Sequence, residues 1–335
     1  MQAARVIRPI GCGALVSSLL AIVAGCSDRG LVTLTPPGDS TRAGHVEPAL
    51  LFEERFDDAN LAARGWYDLP SGGITSVTTA ERIAAGGGVA SLQVGFPQGR
   101  ALPQPLVAAR HGFRPTDAVY VRYWIKHSSD WLGSDRGFSP RELSLVTTTD
   151  DDPFDGPAST HLTAYIEESF QPNGGYAKLS TQDVLNIDST RIGQNLVHIT
   201  ENRAVSGCNG EPDDTSTTCT PCSLDETSWC NGKSWTSAQP VFLQVAGPGY
   251  KGDWHEVEAY FKLNSIANGV GQRDGIARYW IDGTLVVDRT DLVFRTAAHA
   301  SMAFDQLILG PDLGTPSSVA QTLWFGDLVV MTGPP

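Results

Sequence analysis

Helical periodicity is scarce in this chain of 335 residues. No long stretch repeats apolar residues every three to four positions, which argues against helix bundles and doubly wound α/β folds. Charged residues are also few, at 18%, and cations are outnumbered, with Lys+Arg 24 against Asp+Glu 37. The net charge of −13 argues against nucleic acid as a partner and against a basic patch on anionic lipid, although a local basic cleft stays open. There is no nucleophile elbow, no phosphate loop and no H-E-x-x-H, so hydrolase, nucleotide and zinc-protease chemistry of those kinds has no anchor. In their place stand 35 Gly and 21 Pro, the punctuation of many strands joined by turns.

The N-terminus carries an export pattern. Arg5 and Arg8 form a positive start, and an apolar stretch follows over residues 10–24. That stretch is too short and too rich in Gly and Ser to span a bilayer well, which favours a signal peptide. It ends in Val23-Ala24-Gly25-Cys26, which resembles the lipobox of bacterial lipoproteins. The resemblance implies cleavage before Cys26 and lipidation of its thiol. Ser27 at the next position points to the outer membrane. The expected mature chain loses two positive charges, so −13 becomes −15. Residues 26–48, with Pro36-Pro37-Gly38, read as a flexible tether. Residues 49–335 are long enough for one large β domain. The expected location is the cell envelope, facing the periplasm or the exterior, with the lipid anchor as the only membrane contact. The domain is expected to be a monomer.

Beyond Cys12 and Cys26, the cysteines are Cys208, Cys219, Cys222 and Cys230. Outside the cytoplasm such a cluster reads as two disulfides, with three pairings open. The spacing Cys219-Thr220-Pro221-Cys222 leaves a zinc knot as the rival, without a second C-x-x-C or a His pair. The polar segment 206–240 around them reads as a stapled insertion loop.

Period-two alternation marks several half-buried antiparallel strands. Val119, Val121, Tyr123 and Ile125 share one face; Tyr120, Arg122, Trp124 and Lys126 share the other. Leu162, Ala164 and Ile166 alternate with His161, Thr163, Tyr165 and Glu167. Val257, Ala259, Phe261 and Leu263 alternate with Glu256, Glu258, Tyr260 and Lys262. Strands are predicted over 254–264, 276–281, 284–288, 304–309 and 322–331, with Asp282-Gly283 as a type I′ hairpin turn. The only predicted helical piece is 57–63. The architecture these imply is all-β, two stacked antiparallel sheets, with a jelly roll as the favoured version.

Longer pieces carry a family resemblance. The opening run Leu51-Phe52-Glu53-Glu54-Arg55-Phe56-Asp57, the strand at 119–126, and Gly252-Asp253-Trp254-His255-Glu256-Val257-Glu258 are similar to the concanavalin A-like jelly rolls. The segment Asp274-Gly275-Ile276-Ala277-Arg278-Tyr279-Trp280-Ile281-Asp282-Gly283 looks like a hairpin of bacterial polysaccharide lyases related to alginate and glucuronan lyases. Thr322-Leu323-Trp324-Phe325-Gly326-Asp327 fits the closing strand of that group. Arg141-Glu142-Leu143 resembles an R-x-E-L strand of alginate lyases but is one residue short. Tyr260-Phe261-Lys262 resembles a Y-F-K segment without its continuation.

Three functions are open. A lyase would need a cation for the uronate carboxylate, a base for the C5 proton and an acid for the leaving oxygen. Arg122, Lys126, His161, Tyr165, Gln244, Tyr260, Lys262 and Arg278 are the candidates, with solvated sheet positions as the alternative. Glycan binding needs less: aromatic rings for sugar C–H faces and polar groups for hydroxyls. Trp124, Tyr165, Tyr260 and Trp280 could line one concave sheet, although core packing competes, above all for Trp254, Trp280 and Trp324. A laminin-G-like adhesion or structural module is the third. Glu256 and Glu258 resemble an i, i+2 glucanase pair without the flanking Asp. No cofactor is required by any of these; Asp150, Asp151, Asp152 and Asp155 could hold calcium in an acidic turn. The leading expectation is a surface lipoprotein that binds a polysaccharide, with uronate lyase as the alternative.

Overall fold

The computed structural model describes residues 47–71, 73, 76–83, 88–134, 141–147, 161–183, 185, 190 and 233–335. Cys26, the four clustered cysteines Cys208, Cys219, Cys222 and Cys230, and the acidic turn Asp150, Asp151, Asp152 and Asp155 lie outside the described residues. The described strands are β1 (Leu50–Glu54), β2 (Trp66–Tyr67), β3 (Val77–Thr78), β4 (Ser91–Phe96), β5 (Ala109–Thr116) and β6 (Ala118–His127). They continue as β7 (Arg141–Val146), β8 (Leu162–Gln171), β9 (Gly174–Asp183), β10 (Lys233–Thr236), β11 (His255–Lys262) and β12 (Ile266–Ala267). The last are β13 (Val270–Gly271), β14 (Gly275–Ile281), β15 (Thr284–Leu292), β16 (Phe304–Asp312) and β17 (Gln321–Met331). The predicted helical piece shrinks to a 3-10 turn, Leu61–Arg64. Glycine closes it: Gly65 takes φ 93, a left-handed value that suits a residue without Cβ.

Two antiparallel sheets are built. The eight-stranded sheet runs β15-β14-β11-β6-β17-β4-β3, with β1 added on β17. The seven-stranded sheet runs β10-β9-β8-β7-β16-β5-β2, and β12-β13 is a separate small ribbon. Non-consecutive neighbours dominate the eight-stranded sheet and make up half of the pairs in the seven-stranded one, as the crossovers of a jelly roll require. The Asp282-Gly283 turn behaves as its sequence predicts, with φ 49 and φ 73, so both centres are left-handed and the hairpin β14–β15 closes in two residues. Its register continues through Ile281↔Thr284 and Trp280↔Leu285.

The core lies between the sheets. Val119, Val121, Tyr123 and Ile125 of β6, Val257, Ala259 and Phe261 of β11, and Ala277 and Tyr279 of β14 face it from one side. Leu143 and Leu145 of β7, Leu162, Ala164 and Ile166 of β8, and Leu307 and Leu309 of β16 face it from the other. Each Val, Leu, Ile or Phe among them contributes about 1.5–3 kcal/mol on burial. Residues 233–236, counted from sequence with the insertion loop, instead form β10 on β9. Trp235 joins the core at 5% exposure.

Polar side chains are also built between the sheets. Tyr123 donates its hydroxyl hydrogen to Glu142. His127 Nε2 lies 2.7 Å from Glu168 Oε2 with both side chains buried. Burial raises the pKa of Glu142 well above the usual carboxyl range, helped by the nearby Glu168 charge. Burial pushes Glu168 up to about 8. It pulls His127 well down, with His255 and Lys251 adding repulsion. At neutral pH this cluster is therefore held largely uncharged, which is the only inexpensive way to bury it.

Candidate functional site

Alternation leaves each sheet one outer face, and the two faces lie on opposite sides of the sandwich. The outer face of the seven-stranded sheet centres on β8. Tyr165 stands between Ser144 of β7 and Ser180 of β9, Thr163 between Val146 and Gln182, and Glu167 between Arg141 and Lys178. Tyr165 donates its hydroxyl hydrogen to Gln182 Oε1 at 2.7 Å. The Arg141 guanidinium lies 5.0 Å from the centre of the Tyr165 ring, a cation–π contact. Ser180 donates to Glu167 Oε2 at 2.8 Å, and Lys178 Nζ is 3.3 Å from the same oxygen. Three strands away, about 14 Å by strand spacing, Arg110 Nε meets Asp68 Oδ2 at 2.8 Å. Gln306 donates to the Tyr67 hydroxyl at 2.6 Å.

Sequence alternation makes His161, Thr163, Tyr165 and Glu167 the open polar face of a half-buried strand. The structure corrects this: their exposures are 1%, 1%, 2% and 5%. Both faces of β8 are covered, whereas Arg141 and Ser144 on β7, Ile308 on β16 and Ser180 and Gln182 on β9 are half-exposed. The face is thus a floor whose centre is sunk and whose flanks remain reachable. Burial drives the Tyr165 phenol pKa far up against the opposing Arg141 charge, so Tyr165 stays protonated at neutral pH.

The outer face of the eight-stranded sheet has a different make-up. Arg122, Trp124 and Lys126 of β6 lie here, beside Glu256, Glu258, Tyr260 and Lys262 of β11, Arg278 and Trp280 of β14, and Trp324 of β17. Its charges are mostly matched. Arg122 Nε is 3.6 Å from Glu256 Oε1, Lys126 Nζ is 2.7 Å from Glu81 Oε2, and Arg278 Nε is 2.7 Å from Asp288 Oδ1. Tyr120 donates to Glu258. Trp124, Trp254, Trp280 and Trp324 are all half-exposed, so the core role open to these tryptophans is not the one they take.

The nine sequence candidates therefore do not meet in one groove. Arg122, Trp124, Lys126, Tyr260, Lys262 and Arg278 share one outer face, and His161 and Tyr165 belong to the other. Gln244 is on neither: its side chain accepts a hydrogen bond from buried Lys251, which also donates to the Trp131 carbonyl. The reason is topological. β6, β11 and β14 are neighbours in one sheet and β8 is in the other, which alternation within single strands does not reveal. Sequence reasoning missed Gln182, Ser180, Gln306 and Arg110. The first two were within reach, because Tyr176, Lys178, Ser180 and Gln182 alternate with Ala177 and Leu179 along β9. Among the described residues, no group of three or more His, Cys, Asp or Glu side chains could hold a metal ion.

No protein-family model matches the chain, and no curated protein matches it in sequence. Solved structures do match in fold. A mutant of alginate lyase Aly36B in complex with an alginate trisaccharide superposes with a TM-score of 0.50 at 12% identity, over 85% of this chain and 99% of that one. The PL-14 alginate lyase from Aplysia kurodai gives a TM-score of 0.48 at 10% identity, over 85% and 98%. Alginate lyase vAL-1 from Chlorella virus gives 0.45 at 12%, over 75% and 88%. The chain thus has the jelly-roll fold found in polysaccharide lyases. At such identities the likeness fixes the fold and leaves function to the site.

Proposed function

We propose that this chain binds a uronate-containing polysaccharide along the outer face of its seven-stranded sheet. The observation that carries the reading is the Arg141–Tyr165–Gln182 group: a half-exposed cation over an aromatic ring whose hydroxyl is held by an amide. The half-exposed Arg141 suits a carboxylate, and the buried Tyr165 ring beneath it holds the guanidinium in place. Ser144, Ser180 and Gln182 flank them as partners for hydroxyls.

A second reading, β-elimination on the same ligand, rests on the Arg141–Tyr165 contact. A phenol held protonated can deliver a proton to the leaving glycosidic oxygen while Arg141 offsets the carboxylate charge. His161, the candidate base, is four residues from Tyr165 on the same strand face, about 13 Å away. The two do not serve one glycosidic bond, which is why binding stands first.

The test is to mix the protein with alginate and with glucuronan. Retardation in gels containing either polymer, strongly weakened by Arg141→Ala, is the expected result. Growth of the ultraviolet absorbance of an unsaturated uronide would promote the elimination reading. Absence of both would remove the proposal. The Val23-Ala24-Gly25-Cys26 sequence supports a lipid anchor that places this domain in the cell envelope; Cys26→Ser should then release the protein from membrane fractions.

A further inference from the structure

The outer face of the eight-stranded sheet holds a cleft of its own, and the argument for it is independent of the reading given to the opposite face. The cleft is about 270 Å³, and Trp124, Arg122, Glu256, Glu53, Arg55 and Asp327 are among its lining residues. Asp327 is at φ 46, where the register of β17 against β6 slips between Gly326 and Val329. Such a bulge re-aims side chains locally. It is wedged in place, since a Cβ on Gly326 would collide with Ile83.

Two polar atoms in this cleft are left over. Arg122 Nε and Asp327 Oδ1 are both buried and make no hydrogen bond among the described residues. The nearest anion to Arg122 Nε, Glu256, is at 3.6 Å, beyond hydrogen-bond reach. Both atoms are closed to solvent, and what the cleft presents to a sugar hydroxyl beside the Trp124 ring is the half-exposed remainder of the Arg122 and Asp327 side chains. The tryptophans also continue past the cleft. Trp324 lies opposite Lys126, two residues along β6 from Trp124. Trp280 lies opposite Glu258, which faces Arg122, two residues the other way. By strand geometry, Trp280, Trp124 and Trp324 make a diagonal with Cα steps of roughly 12 and 8 Å. Three half-exposed indoles in a line suit an extended chain. The local charge selects its type: Glu53, Glu256 and Asp327 outnumber Arg55 and Arg122, which disfavours a polyanion.

We propose that this cleft and its tryptophan diagonal are a second carbohydrate site, for a neutral polysaccharide, with one sugar ring on Trp124 and its hydroxyls shared by Arg122, Glu256 and Asp327. The chain then holds two different polymers, a polyuronate on one side and a neutral glycan on the other.

Affinity electrophoresis of the full chain in gels containing hydroxyethylcellulose, laminarin, galactomannan or alginate tests this. At least one neutral polymer should retard the protein. Trp124→Ala should weaken that retardation about tenfold, the loss of one aromatic–sugar contact, while retardation by alginate is unchanged. Passage of the wild-type protein unretarded through all three neutral gels would overturn the proposal. So would unchanged retardation of Trp124→Ala, or equal loss for neutral polymer and alginate. Should Trp124→Ala lower the thermal midpoint, Glu256→Gln carries the same test: it is partly exposed, and neutral-glycan retardation must fall with it.

Discussion

The two outer faces of this sandwich are made from the same repeating pattern and solve it in opposite ways. On the eight-stranded sheet, polar side chains alternate with core residues and stay half-exposed, with opposite charges paired across strands. On the seven-stranded sheet, β8 is buried on both faces from Leu162 to Glu168, and its outward Tyr165 and Glu167 are held by hydrogen bonds and cations. Exposed pairs of the first kind contribute little to stability, about 0–1 kcal/mol. Buried polar groups of the second kind are costly unless fully partnered. Here a buried phenol is held between a guanidinium and an amide that both stay half-exposed. The difference teaches that burial of polar groups, more than their number, separates the candidate uronate face from the rest of the surface.

Substitutions can break or sharpen this contrast. The largest effect is expected from Tyr165→Phe. Where elimination is found, removing the hydroxyl that donates to Gln182 should lower turnover by about 10²–10⁴, with polymer retardation kept because the ring stays. A turnover rate equal to wild type would take Tyr165 out of the chemistry. Next comes Arg141→Ala, which should weaken alginate retardation about tenfold or more. Lys126→Ala on the opposite face should leave alginate retardation as it is. Equal effects from the two would erase the distinction between the faces.

Between the faces, Glu168→Gln should alter the pH dependence of stability. Glu168 has its folded pKa raised from 4.5 to about 8 by burial, so the folded state binds a proton that the unfolded state has lost. Stability therefore falls as pH rises through this window. Below the ordinary histidine value of 6.5, buried His127, whose pKa is lowered, acts in the other direction; from pH 6.5 to 8 Glu142 and His255, both raised, add to the decline, and the comparison with Glu168→Gln isolates the Glu168 share. Thermal midpoints across it should decline in the wild type and less steeply in Glu168→Gln; parallel declines would contradict the assignment. The smallest effect is expected from Lys126→Ala on stability. Its pair with Glu81 is partly exposed, and the change should stay within about 1 kcal/mol by denaturant titration.

Much of the frame was legible in the chain. The alternations along β6, β11 and β14, and the Asp282-Gly283 turn, depend only on local rules, and local rules are visible in sequence. Which strands become neighbours is set by long connections, and that is where the reading stopped. Arg122 and Tyr165 carry the same period-two signature, yet one belongs to each sheet. Tyr165 and Glu167 read as solvated because alternation reports which side of a strand a residue takes, not whether that side is covered. Trp280 and Trp324 read in favour of core and prove half-exposed, since an indole is at home in either place. The Arg141-Glu142-Leu143 segment carries a bulge, with Glu142 as the extra residue against β8. The register slips between Arg141 and Leu143, and the bulge lets Arg141 reach over Tyr165 while Glu142 turns into the core toward Tyr123.

A crystal of the protein grown with an alginate trisaccharide is the most direct trial. The account predicts sugar density across β7, β8 and β9, with a uronate carboxylate at Arg141 and a ring above the Tyr165 position. Density confined to the Trp124 side, or none on either face at saturating trisaccharide, would contradict it.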